Sequence, residues 1–547
     1  MNNYLSMLAL AVLFFCSTCT QKDSAETLVA EVPVKQWAPE DMRDLPQNFA
    51  KRGLTVKTEK STPGYILFHP SLGTSTYLAD HDGRIVHEWK GEYNSMLSYL
   101  LDNGSILRAA RDPYFPTFAA GGQYGRLREY SWEGEMTWDF AYISEKHLIH
   151  HDIAIMPNGN ILAIAWESKT KAECIAMGCD PEKLPVDGLW FDKVIEIEPE
   201  RPDGGNIVWE WRMWDHLVQN YDKEILNYGD PSKSARKFNL NPHLINPVLT
   251  EEQVKGGIEA GVMTSNATPE NRGSDITHLN AIFYNSDLDQ IALSSFYFNE
   301  IFIIDHSTST EEAGGNSGGR YGHGGDLLYR WGNPQNYGRG GPEDQQSFRQ
   351  HDVRWIPEGY PGAGNLTIFN NDNYGGNGQF RYGFDAVERL HRFNLSLGEV
   401  DNYSTVLELE LPVDENGNYE LPEDEPFGPA KPVWTYTAPD KYTLYSLFTS
   451  NAHRLSSGNT FIMEGVTGRC FEVTPEGETV WEYWNPYFEG YRLPDGTLPQ
   501  PGGPTFFAQF RVAHLSPDHP GLAGRDLTPV DPQPEVFTPP PPPSQEN

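Results

Sequence analysis

The chain has 547 residues, among them 51 Gly and 42 Pro, with 12% aromatic residues and a formal net charge of -35. Turn formers and aromatics in these amounts suit many short strands joined by tight turns and argue against helical repeats. The acidic balance argues against nucleic acid as a partner, because gripping a polyphosphate takes a basic face.

In chain order, the apolar run Leu5 to Phe15 is too short to span a bilayer and fits the core of a signal segment. Residues 1–19 are therefore predicted to be a signal peptide, although its start carries no Lys or Arg, and the protein is expected in the periplasm or at the cell envelope. Cys19 follows the small residues Ser17 and Thr18 and is the candidate lipidation site; plain secretion is the alternative. A lipid would then be the membrane anchor. Residues 20–60 read as a linker or small N-terminal cap. Cys174 and Cys179 are predicted to form a small-loop disulfide in an oxidising compartment, with Cys470 left as a buried thiol.

Two segment types then alternate. One is a turn followed by a β-rich run ending in an aromatic residue: HDGRIVHEW to Trp89, SWEGEMTWDF around Trp138, GGNIVWEW at Trp209 and Trp211, GGDLLYRW to Trp331, AKPVWTY at Trp434 and PEGETVWEY at Trp481. The other reads as a hairpin with a polar turn: LDNGSILRA from Leu101, MPNGNILAI from Met156, SDLDQIALSS from Ser286, PGAGNLTIF from Pro361 and LSSGNTFIM from Leu455. Alternating hairpins at this spacing predict an all-β, six-bladed β-propeller over 61–525 with loop insertions; a β-sandwich or several small β domains is the alternative. Insertions are expected at 215–275 and, strongly acidic, at 375–432. Residues 526–547, ending in a proline run, are expected to be a disordered tail.

Aligning the second hairpins on their turns brings His151, His278, His351 and Ser450 to one register position, and the inner strands of a propeller surround its axis. Strand alternation sends His150 to the opposite face from His151 and returns Asn280 to the face of His278. Clustered imidazoles with an amide can bind a metal or hold a tetrahedral oxyanion while one ring attacks. Mutual repulsion keeps them from all being protonated.

These segments resemble the arylsulfotransferase family, the bacterial aryl-sulfate sulfotransferases. The motifs that carry the resemblance are HHDIAIMPNGNIL around His151, SDITHLNAIFYNSDLDQIALSS around His278 and QHDVRWIPEGYPGAGNLTIFNND around His351. The resemblance implies a six-bladed propeller that moves a sulfuryl group from a phenolic sulfate ester to an acceptor hydroxyl, with no nucleotide donor and no cofactor. It implies His351 as nucleophile, His278 and Asn280 as oxyanion ligands and His151 as a further ligand or proton carrier. Ser450 stands where the family has a threonine. Phe296, after Ser294 and Ser295, stands where the family has an arginine, and a phenyl ring cannot replace a cation. Arg354, Arg381, Arg389 and Arg454 are the candidate cations to stand in for it, and Tyr374, Phe380 and Trp166 the candidate aromatics to meet an aryl substrate. The expected partners are a small aryl sulfate and a phenolic or other hydroxyl acceptor; a homodimer is left open. Two readings compete: a metal-dependent hydrolase or lyase on the three histidines, and a propeller that binds a ligand without chemistry.

Overall fold

The computed structural model describes residues 52–537 apart from 72, 113–116, 244–250, 252–253, 255–266, 271–272, 374–402, 447 and 490–506. Cys19 and the expected signal segment lie outside these residues, as do Tyr374, Phe380, Arg381 and Arg389. The described chain is nearly all β, with only short helices such as Lys171–Ala176 and Thr310–Ala313. Among the described residues no helix is long and apolar enough to cross a membrane.

The strands pair in one five-stranded, three four-stranded, one seven-stranded and one two-stranded sheet. The seven-stranded sheet consists of two four-strand sets sharing the long strand Ile85–Leu100. Its first part pairs with Gly73–Ala79 and its last part with Ile106–Arg111. The five-stranded sheet is one set plus Gly53–Lys57 on its outer edge, so the end of the expected linker 20–60 is a strand. One strand of each set faces the others: Gln509–Leu515, the end of Ile85–Leu100, His147–Ile155, Leu279–Asn285, His351–Trp355 and Asn451–Arg454. The chain's last strand, Gln509–Leu515, pairs with Tyr65–Pro70 near its start. This explains why the second hairpin type has five contiguous copies rather than six.

The six aromatic-ended segments form the opposite, outer strands, and their tryptophans link one set to the next. Indole Nε1 of Trp89, Trp138, Trp211, Trp331, Trp434 and Trp481 donates to the carbonyl of Ser131, Gly204, Gly325, Pro429, Pro475 and His81, at 3.1, 2.7, 2.7, 2.8, 3.0 and 3.1 Å. Each acceptor belongs to the set that follows in sequence, and His81 returns to the first. A buried indole N–H without a partner costs about 1–3 kcal/mol, so sequence selects both the tryptophan and the turn that meets it.

A second series of links joins the inner strands. Asp152 Oδ2 accepts from the Ile282 N–H (3.3 Å), Asn280 Nδ2 donates to the Gln350 carbonyl (2.8 Å), Asp352 Oδ2 accepts from the Ala452 N–H (3.2 Å), and Asn451 exchanges two bonds with the Val512 backbone (3.0 Å each).

Three expectations need amendment. Cys174 and Cys179 are free, buried thiols and no disulfide joins them. The helix Lys171–Ala176 ends with Gly178 at φ +84° and the Cys179 N–H on the Cys174 carbonyl (3.0 Å), a turn that sets the two thiols side by side. The hydrogen bond that the Cys174 thiol gives to Cys179 and then burial push its pKa well up, which favours the protonated thiol. The acidic segment 375–432 is not all insertion: Thr405–Leu409 is a fully buried strand of the fifth set. Of the tail expected to be disordered, residues up to 537 hold defined contacts, with the Val530 N–H on the Ile85 carbonyl and the Phe537 N–H on the Pro486 carbonyl, both at 2.9 Å.

Candidate functional site

The inner strands do not enter the centre as regular strands. His151, His278 and Ser450 have left-handed φ values of 53°, 49° and 88°, and Arg349, Asp352 and Thr449 beside the site are left-handed as well. Pairing slips between Ile149 and Ile153, between Leu279 and Ala281, and between His351 and Arg354. Such kinks are costly for residues other than glycine, about 1–3 kcal/mol each, and bulges re-aim side chains. The strain is concentrated where the histidines stand.

The structure brings the three predicted histidines together. The rings of His151 and His278 meet at 4.3 Å between centroids, and Phe296 lies 5.4 Å from His278 and 5.6 Å from His351. Gly122 admits the His151 ring, because a Cβ there would fall 2.4 Å from its Nε2. Among the described residues no protein group bonds Nε2 of His151, His278 or His351, whose Nδ1 atoms are all engaged.

The hydrogen bonds fix the proton on His351. Asn371 Nδ2 donates to the carbonyls of Ser446 (2.8 Å) and Thr449 (3.1 Å), so its Oδ1 must be the atom facing His351 Nδ1 at 2.9 Å. The Arg349 carbonyl lies 3.2 Å from the same nitrogen. Both partners are acceptors; Nδ1 therefore carries the hydrogen and Nε2 the lone pair. Burial, followed by the positive charge of Arg511, holds His351 well below the ordinary histidine range despite its bond to Asn371.

His278 is different. Its Nδ1 lies 2.5 Å from Asp275 Oδ2. Burial opposes its protonation, but the charge and hydrogen bond of Asp275, with Asp192 beyond, outweigh burial and raise its pKa. His151 is held well below the ordinary range by burial and then by the neighbouring charge of His278. The cluster thus separates one ring whose protonation its carboxylate partner favours from two whose protonation burial and neighbouring charge oppose.

Arg511 went unnoticed in the sequence because it lies on a single strand outside the repeats. Its guanidinium is buried at the centre, donating to the carbonyls of Ser450 (2.6 Å) and Asn280 (2.8 Å), with Asp152 at 3.8 Å and Asp352 at 3.7 Å. One side chain therefore touches four inner strands.

Ser450 Oγ accepts the Gly465 N–H (2.9 Å) and keeps its own O–H to donate. Asn280 has turned one amide hydrogen to Gln350, and its Oδ1 is buried with no partner among the described residues. Trp166 is fully buried and stacks on His150 at 3.8 Å, so it forms the floor of the site rather than its mouth. Arg354 is paired with Asp352, and Arg454 with Glu408, so neither stands in for the arginine absent at Phe296. Arg349 does lie against that ring, its guanidinium 5.6 Å from the Phe296 centroid, and pairs with Asp372 at 3.4 Å. His150, set aside because alternation sends it away from His151, bonds it instead, Nδ1 to Nδ1 at 2.7 Å, because the left-handed kink at His151 breaks the alternation. Among the described residues no group of three or more His, Cys, Asp or Glu has the arrangement of a metal site.

Among curated proteins none matches this chain. Its backbone is similar to a Bacteroides caccae protein of unknown function (11% identity, 77% of this chain and 94% of that one, TM-score 0.37). It is also similar to the β-propeller domain of Myceliophteria thermophila Cps50 (Swd1) (9%, 80% and 91%, TM-score 0.35). A third likeness is to a periplasmic gluconolactonase of Pseudomonas aeruginosa (8%, 83% and 99%, TM-score 0.34). At these scores the likenesses carry no argument. The sequence itself is decisive: the arylsulfotransferase (ASST) family model matches residues 53–482, the stretch that contains His151, His278, His351 and Phe296, and the chain belongs to that family.

Proposed function

We propose that this sulfotransferase moves a sulfuryl group from a phenolic sulfate ester to an acceptor hydroxyl through a sulfohistidine on Nε2 of His351, with no nucleotide donor and no cofactor. The observation that carries the reading is the fixed proton on His351: with Nδ1–H held by Asn371 and the Arg349 carbonyl, a bare Nε2 is left beside a cationic neighbour. In the first step Nε2 attacks sulfur, the N–S bond forms, and the S–O bond to the aryl group breaks with its electron pair leaving on the phenolate. The His278 imidazolium, the second amide hydrogen of Asn280 and the Ser450 hydroxyl stabilise the charge on the sulfuryl oxygens. In the second step the acceptor oxygen attacks sulfur while His151 takes its proton, and His351 is released.

The face of Phe296 between His278 and His351 suits an aryl ring, worth about 0.5–1.5 kcal/mol beyond its buried area. The ring of tryptophan links, returning from Trp481 to His81, supports a closed six-bladed propeller over 61–525. The apolar run Leu5 to Phe15 supports reading 1–19 as a signal peptide and export to the periplasm or cell envelope, with Cys19 as the site of any lipid anchor. The test is steady-state transfer from 4-nitrophenyl sulfate to phenol. Parallel lines in double-reciprocal plots are expected, as ping-pong exchange requires. Intersecting lines would mean a ternary complex and no sulfo-enzyme.

A further inference from the structure

Behind His151 lies a buried pair that the proposed chemistry does not yet use. His150 and Asp192 are both fully buried, with His150 Nε2 2.7 Å from Asp192 Oδ1. The N–H does not point straight along that contact, so it is a close polar contact rather than an aligned hydrogen bond. A nitrogen lone pair that close to a carboxylate oxygen would be repelled, so Nε2 carries the hydrogen. Stacking on Trp166 at 3.8 Å and 9° leaves the His150 ring little freedom. Its other nitrogen, Nδ1, faces His151 Nδ1 at 2.7 Å. Burial disfavours the protonated form of both rings, and with its hydrogen on Nε2 toward Asp192 a neutral His150 presents the Nδ1 lone pair to His151. His150 Nδ1 is then the acceptor, His151 Nδ1 the donor, and His151 Nε2 is bare. The other oxygen of Asp192 accepts from the Leu279 N–H (2.8 Å) and the Thr277 hydroxyl, which flank His278. One carboxylate therefore braces the segments that carry two site histidines.

We propose that Asp192 and His150 are positioning residues that hold His151 as the Nδ1–H tautomer, so that His151 Nε2 takes the proton of the acceptor hydroxyl in the second half-reaction. The inference rests on the sulfotransfer reading above. The balance is simple: the acceptor O–H proton passes to His151 Nε2, the O–S bond forms, and the S–N bond to His351 breaks with its electrons returning to the ring. The role resembles that of a carboxylate orienting a general base through its far nitrogen.

The test measures the two half-reactions separately in wild type, Asp192→Asn and His150→Gln. The burst of 4-nitrophenol reports the first, which needs little proton delivery because nitrophenolate leaves readily. Turnover with a series of phenols of graded acidity reports the second. The variants should slow the second half-reaction roughly 10- to 100-fold more than the first, at or below the lower end of the roughly 10²–10⁴-fold a general base contributes, because the base is mispositioned and not removed. The excess should shrink as the acceptor becomes more acidic. Nitrogen NMR of the imidazoles should show a hydrogen-free His151 Nε2 in the wild type and mixed tautomers in Asp192→Asn. Equal slowing of both half-reactions, or a loss independent of acceptor acidity, would overturn the assignment while leaving sulfotransfer intact. A wild type with no burst at all would overturn sulfotransfer, and the base role with it.

Discussion

Replacing Asp275 by Asn removes a charge and little else, since the amide oxygen can still accept from His278 Nδ1. The pair is 2.5 Å apart, with side-chain exposures of 14% for His278 and 7% for Asp275. An opposite charge this close and this poorly solvated shifts a pKa by about 1–3 units, and one unit is about 1.4 kcal/mol. The raised pKa of His278 should therefore fall in the variant. The assay is the pH dependence of single-turnover nitrophenol release. In the wild type the rate should rise as His351 loses its proton, well below pH ~6.5, and decline only as His278 deprotonates above that value. In Asp275→Asn the alkaline decline should move to lower pH, so that the variant loses rate at a pH where the wild type still holds it. Stability follows the same sign. Because the folded pKa of His278 is raised, the ion pair's contribution is complete below about pH 6.5 and is lost as pH rises through the folded value. The denaturation midpoints of the two proteins should thus converge on the alkaline side. Superimposable alkaline limbs would refute the claim that a protonated His278 takes part.

Other perturbations test the frame around the site. Arg511→Met leaves Asp152 and Asp352 without their central cation and should cost about 3–5 kcal/mol in chemical denaturation. Trp211→Phe keeps the aromatic body but orphans the Gly325 carbonyl, and should cost about 1–3 kcal/mol by the same measurement. Phe296→Arg places a second buried guanidinium beside Arg349, so the melting temperature should fall without anion, and added sulfate should restore it more than it raises that of the wild type.

The parts of this fold that could be read in the sequence are those that repeat. Six aromatic-ended segments became six outer strands because an indole both fills the space between sheets and needs an acceptor, which the following turn supplies. Counting back from hairpin turns gathered His151, His278 and His351, since that distance is set by strand geometry. What alternation could not supply were the side-chain directions at the strand entries. At His151 and Leu279 the backbone leaves the regular pleat, so His150 joined the site that parity denied it, and the Asn280 amide turned to Gln350. Arg511 occurs once, and a single residue gives periodicity nothing to work on. The strand Thr405–Leu409 was hidden by the acidic residues around it, although its Val406, Leu407 and Leu409 are buried.

The most direct test of the account is intact-mass and peptide analysis of the protein quenched after brief exposure to 4-nitrophenyl sulfate without acceptor, with His351→Ala alongside. The account predicts one added sulfuryl group, on His351, lost when phenol is supplied and absent from a folded His351→Ala. Nitrophenol release with no adduct, or an adduct that persists in that variant, would contradict it.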